Sequence, residues 1–195
     1  EWGYEEDGAT LLAHLEKIVQ YNVQSSEKEK FDGVMLDIEP YISDSWKENP
    51  EEYMDRYISC MKKGYKFAQK NHLRTAICIP RHYDNQGLTS GLEELIKETC
   101  DEVAVMNYSC GNEIEAIRTE AALSEKYGKE LHCILEFQEV GKHGLTENKT
   151  YRNKGIDNAK ETWEKLQKEY KNINVTRDYH WSRPVREMLE EKNAD

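Results

Sequence analysis

The sequence predicts an α/β fold built on a parallel sheet. Two observations carry this: helical and strand patterns alternate strictly along the chain, and the strand patterns are short apolar runs set off by brief loops. The chain has 195 residues, with 38 acidic and 27 basic side chains, for a formal charge of −11. That length suggests one domain, residues 1–195, with enough chain for a real core.

The elements follow in order. Residues 8–24 (GATLLAHLEKIVQYNVQ) repeat Leu11, Leu12, Leu15, Ile18 and Val19 at helical spacing. Residues 31–38 (FDGVMLDI) read as a strand, stopped by Pro40. Pro50 opens a second helix that runs to about residue 71, as proline does well at a first helical position. TAICI, 75–79, is an apolar strand ended by Pro80, and GLEELIKETC, 91–100, is a short helix. EVAVMNY, 102–108, is a strand. Residues 112–128 form one helix closed by Gly128 in the C-cap role. ELHCILEFQ, 130–138, is the fourth strand. Residues 141–155 are a polar, glycine-bearing loop, and 156–172 form a helix. DYHWS, 178–182, is a last short strand, and 184–195 form a fraying terminal helix.

Two architectures fit this order: a doubly wound open sheet, or part of a (β/α)8 TIM-type barrel. No G-x-G-x-x-G follows a strand and no G-x-x-x-x-G-K-[ST] occurs, which weakens the nucleotide-binding version. Asp37, Glu39, Arg81, Tyr108, Glu136 and Trp181 all fall at or near strand carboxyl ends, where barrels put their chemistry. The barrel is therefore the expectation. Five strands are three short of a closed barrel, so the chain reads as about five C-terminal βα units, with 31–38 as the fourth strand. Open sheet edges then predict self-association.

Composition excludes several classes of partner. The acidic balance argues against nucleic acid and against an anionic membrane surface. No apolar run approaches the roughly 20 residues that span a bilayer. The chain starts Glu1-Trp2-Gly3-Tyr4, with no basic or apolar leader, so it reads as a processed product or an excised piece, and its compartment stays open. Five cysteines, at 60, 78, 100, 110 and 133, include no C-x-x-C pair and read as free thiols. No H-E-x-x-H or G-x-S-x-G occurs. No metal and no cofactor is expected.

The informative stretch is FDGVMLDIEPY, 31–41. Alternation along a strand turns Val34, Leu36 and Ile38 one way and Met35, Asp37 and Glu39 the other. The α-carbons of Asp37 and Glu39 then lie about 6.5–7 Å apart. Shared burial of two such carboxylates raises one pKa and keeps a proton near neutrality, as a general acid requires. Paired carboxylates are the usual equipment for glycoside hydrolysis. A second reading stands beside it: Asp-x-Glu before proline at a strand end also suits the capping of a turn.

At these residues the sequence resembles the family-eighteen glycoside hydrolases, the chitinases and endo-β-N-acetylglucosaminidases, whose fourth-strand pattern is D-G-x-D-x-D-x-E. Asp32 and Gly33 match its start, Asp37 its last Asp and Glu39 its catalytic acid, while Met35 stands where the family has Asp. CDEVAVMNYS, 100–109, is similar to the family's sixth strand, M-x-Y-[DN], through Met106 and Tyr108, with Ser109 in place of Asp or Asn. DYHWS is similar to the eighth strand, whose Trp floors the sugar site, which is the position of Trp181. The resemblance implies a substrate-assisted retaining mechanism. In it Glu39 is the acid, Asp37 orients the acetamido group, and Tyr108 donates a hydrogen bond to its oxygen. Trp181 then stacks on the sugar.

Other residues admit two readings each. Arg81 either contacts substrate or belongs to a solvated loop or a salt bridge to a nearby Glu. Glu136 points inward with Gln138, either as a second carboxylate opposite Glu39 or as a hydrogen-bonded barrel residue. Tyr41, Trp46 and Tyr53 either stack on sugar rings or pack. His180 reads as a packing residue facing away from Trp181. The expected function is hydrolysis of N-acetylglucosamine-containing glycans. The alternatives are a carbohydrate-binding relative that does not cut, favoured by Met35 and Ser109, and an inactive fragment of a larger barrel enzyme.

Overall fold

The computed structural model describes residues 2–5 and 7–194. Its five strands are β1 (Gly33–Asp37), β2 (Arg74–Pro80), β3 (Glu102–Met106), β4 (Glu130–Glu136) and β5 (Val175–His180). They form one parallel sheet in chain order, β1-β2-β3-β4-β5. Each successive strand thus follows a helical connection and lies next to the strand before it, as right-handed βα units do. By contacts the chain divides into two compact units, Glu1–Ile79 with Tyr83–Val103, and Pro80–His82 with Ala104–Asp195.

In the first unit, helix α1 (Ala9–Gln24) buries Leu11 and Leu15 against α3 (Pro50–Lys70). Gly64 is what lets them approach: a Cβ there would sit 2.5 Å from Leu11 Cδ2. Pro50 does open α3, as its sequence position predicts. β1 pairs with β2 from Gly33↔Arg74 to Asp37↔Cys78. Asp101 fixes the start of β2. Its carboxylate accepts the Thr75 amide at 2.8 Å and the Tyr65 hydroxyl at 2.7 Å, while its own amide donates to the Thr75 carbonyl. Helix α4 (Thr89–Thr99) completes the unit against α3. Between β1 and α3 lie a 3-10 turn, Pro40–Ile42, and a short helix α2 (Asp44–Glu48), neither visible as a periodicity in the sequence.

In the second unit, β4 and β5 pair from Leu131↔Val175 to Glu136↔His180. Helix α7 (Ile156–Glu169) covers one face of this pair. Trp163 donates its indole N–H to the Cys133 carbonyl at 3.0 Å and packs in the core with Phe137, while the exposed ring of Tyr179 lies against both.

The single helix expected over 112–128 is two helices, α5 (Glu113–Ala116) and α6 (Arg118–Tyr127), broken at Ile117. The reason is local. A continuous helix needs the carbonyls of residues 113 and 114 for the amides four residues on. Asn107 donates to the Glu113 carbonyl at 3.0 Å and the Tyr170 hydroxyl to the Ile114 carbonyl at 2.6 Å, so both acceptors are engaged from outside. Gly128 ends α6 in the left-handed conformation, φ 64°, as its C-cap role predicts.

The last strand also starts earlier than DYHWS suggests, at Val175. Gln167 Oε1 accepts the Val175 amide at 2.9 Å and so anchors its start to α7. Helix α8 (Ser182–Ala194) follows directly. Among the described residues no helix is long and apolar enough to cross a membrane.

Candidate functional site

The chemistry expected at strand carboxyl ends falls into two groups, one in each unit.

In the first unit, β1 delivers Asp37 and Glu39. Glu39 is half-buried and leads directly into the turn that buried Pro40 opens. Its side chain does not cap that turn. Glu39 instead accepts a hydrogen bond from the Tyr41 hydroxyl, while Ser43 caps the following helix α2 by accepting the Trp46 amide at 3.2 Å. The capping reading is therefore set aside for Glu39. Asp37, Glu39, Pro40 and Ser43 line a cavity of about 230 Å³ together with Gly3 and Tyr4.

The shared burial expected for positions 37 and 39 is not found. Asp37 is exposed, and Met35 on the same face is 50 % exposed. The physical reason is that β1 ends the sheet order, with β2 as its only strand neighbour among the described residues. Val34 and Leu36 are half-buried and Ile38 is buried, so the apolar side of the alternation is the one that packs. Trp46 is a packing residue, buried against Tyr83 with ring centroids 5.6 Å apart. Tyr53 packs edge-on against Tyr4 at 5.1 Å. Of the three aromatic candidates, only Tyr41 touches a carboxylate of the site.

In the second unit, Glu136 ends β4 and His180 ends β5, opposite each other in the register. Glu136 is 2 % exposed. One carboxylate oxygen accepts the amides of Phe137 at 2.8 Å and Gln138 at 2.7 Å. The other accepts Gln138 Nε2 at 3.2 Å and lies 2.8 Å from His180 Nδ1. Burial works to raise the Glu136 pKa. The hydrogen bonds from His180 and Gln138, with the His180 charge, outweigh it and hold the carboxyl below its ordinary value. An ionised carboxylate only accepts, so Nδ1 of His180 carries the proton.

Glu136 does sit with Gln138, and four donors engage its two oxygens, as the reading of a hydrogen-bonded residue has it. One expectation is corrected here. His180 is not a packing residue. It is the partner of Glu136, half-exposed, with its ring 5.9 Å from that of Tyr108. A second pair, His132 Nδ1 to Asp178 Oδ2 at 3.0 Å, lies on the same face of β4 and β5 by alternation. His132 was missed, and His180 was read only as a packing residue. The signal was the spacing His132, Glu136 on one strand and Thr176, Asp178, His180 on the next, a polar ladder at period two.

Tyr108 and Met106 are half-buried at the end of β3. Trp181 follows β5 through a cis peptide bond and is 46 % exposed. Arg81 is half-buried just after β2, and among the described residues its side chain has no ion pair, so the salt-bridge reading is not the one observed. All five cysteines are free thiols. Burial pushes the thiols of Cys60 and Cys110 up to about 11, which makes both poor nucleophiles.

Comparison with protein-family models, with curated proteins and with solved structures finds no match.

Proposed function

We propose that the chain is a glycoside hydrolase acting on N-acetylglucosamine-containing glycans, with Glu39 as the general acid. In this reading the parallel sheet is part of a (β/α)8 barrel, with β1 as its fourth strand. The resemblance of residues 31–41 to the family-eighteen signature motivates the proposal. The observation that carries it is Glu39 itself: a carboxyl at a strand exit, half-buried, not used as a cap, and facing a small cavity with Asp37.

The chemistry follows. Glu39 gives its proton to the glycosidic oxygen as the bond to the anomeric carbon breaks. The acetamido oxygen of the substrate attacks that carbon, so no enzyme nucleophile is needed. Glu39, now ionised, takes a proton from water as the water opens the oxazolinium ring. Asp37 orients the acetamido N–H and offsets its developing charge. The hydroxyl of Tyr41 on Glu39 holds that carboxyl in one rotamer.

The test is turnover of a chromogenic N-acetylglucosaminide. Wild type should release the chromophore, and Glu39→Gln should lose at least about a hundredfold, the usual worth of a positioned acid, with its circular dichroism unchanged. No turnover by wild type supplied with the further barrel segments that this reading requires defeats the hydrolase reading, and turnover only when they are supplied selects the fragment reading.

A second reading, a sugar-binding protein that does not cut, is favoured by exposed Met35 in the place of a carboxylate. Glycan binding by calorimetry that survives Glu39→Gln, without any turnover, selects it. The end strands β1 and β5 are where copies would pair edge to edge, and light scattering against concentration tests that.

A further inference from the structure

The segment Thr150-Tyr151-Arg152 is tied down at the end of β4. The Tyr151 amide donates to the Glu136 carbonyl at 2.8 Å, and the Thr150 hydroxyl donates to the Gln138 carbonyl at 2.7 Å. The Arg152 amide in turn donates to the Thr150 oxygen at 3.1 Å. Arg152 is thus placed by its backbone, independently of its own guanidinium.

That guanidinium is only partly used. Nη2 donates to Glu191 at 2.7 Å, while Nη1 is buried and has no acceptor among the described residues. The Arg152 side chain is 15 % exposed and Glu191 is 65 % exposed. A buried donor with no acceptor is costly, and a partner as exposed as Glu191 is readily given up. Arg152 lines a cavity of about 220 Å³ whose wall is the exposed indole of Trp181. Lys142 and Arg183 line it too, each beside an exposed carboxylate, Glu139 at 3.9 Å and Glu187 at 2.9 Å. An aromatic platform next to a guanidinium with one NH2 group lacking an acceptor is an arrangement that suits a sugar ring bearing an anion. A planar fork of N–H donors matches a planar carboxylate through two parallel bonds.

We propose that Trp181 and Arg152 form a subsite for an acidic sugar residue, its ring on the indole and its carboxylate on the Arg152 fork, with Lys142 and Arg183 at the rim. This rests on the reading of Trp181 as a sugar platform, and it makes the glycan one in which N-acetylglucosamine alternates with or adjoins a uronate.

The experiment is calorimetry at low salt on the whole chain, with two probes. One is a tetrasaccharide of alternating N-acetylglucosamine and glucuronate. The other is the same tetrasaccharide with its carboxyls reduced to alcohols. Wild type should bind the acidic probe about tenfold more tightly, the worth of one hydrogen bond between charged groups. Arg152→Gln should abolish the preference, and Arg152→Lys, which keeps charge but loses the fork, should retain part of it. Equal binding of the two probes by wild type overturns the subsite and leaves the sugar-binding reading standing. A preference that persists in Arg152→Gln also overturns it. Binding of neither probe removes both. If Arg152→Gln does not fold, the wild-type pair of measurements still decides.

Discussion

Glu39 and Glu136 both stand at the carboxyl end of a parallel strand, and the structure treats them in opposite ways. Glu136 lies in the second unit with four donors on its two oxygens. Glu39 lies in the first unit, half-buried, with the Tyr41 hydroxyl on one oxygen and a cavity beside it. A carboxylate whose lone pairs are all engaged can orient a histidine but has no capacity left for a substrate proton. A carboxylate with one neutral partner has that capacity. Residue type and strand position alone therefore do not assign a role, and the count of donors does.

That contrast makes its largest prediction about stability. Glu136→Ala leaves the amides of Phe137 and Gln138 buried without their acceptor, at about 1–3 kcal/mol for each unsatisfied group. The expected cost is about 3 kcal/mol in urea unfolding. Asp37→Ala, at an exposed position, should stay within about 0.5 kcal/mol. Equal costs at the two positions would break the comparison.

The same carboxylate sets a pH dependence. Its native pKa lies below the ordinary value of about 4.5, because the bonds from His180 and Gln138 outweigh its burial. A group depressed in the native state binds its proton more readily when unfolded. Its contribution is complete above the unfolded pKa and is lost as pH falls through the native one. Stability should therefore drop on acidification below about pH 4.5, and Glu136→Gln should flatten that part of the profile. An unchanged slope in the variant would assign the acid sensitivity elsewhere.

How much of this was legible in the sequence depends on how far apart the deciding contacts lie. The alternation of elements was legible, because the apolar periodicities of α1, α3 and β2 are local and strong. The break at Ile117 was not, because it comes from Asn107 and Tyr170, which stand outside that helix in the chain. The start of β5 was hidden because VTRDYH has one aliphatic residue and depends on Gln167 for its anchor. The place of Asp37 and Glu39 at the β1 exit was legible from alternation and from Pro40. Their exposure was not, since it follows from the place of β1 at the end of the sheet. The Glu136–His180 pair joins residues 44 positions apart, and only the register of β4 with β5 brings them opposite each other.

Two buried tyrosines sharpen the comparison at smaller cost. Tyr151, in the second unit, donates its hydroxyl to Glu113 and lies 2.7 Å from Thr162 Oγ1. Tyr57, in the first, is fully buried, and among the described residues its hydroxyl has no hydrogen-bond partner. Burial pushes both phenols up, and for Tyr151 the bond to Glu113 adds to it, so both stay protonated at any working pH. Removing the Tyr151 hydroxyl deprives a carboxylate of its donor, and Tyr151→Phe should cost about 2 kcal/mol. Removing the Tyr57 hydroxyl deletes a polar group that folding strips of water and repays with nothing. Tyr57→Phe should therefore be neutral or stabilise by about 1 kcal/mol. Opposite signs from one chemical change would show that the partner of the hydroxyl, and not the burial of the ring, sets the cost. A loss of similar size in both would mean that the Tyr57 hydroxyl has an acceptor in solution, such as a bound water.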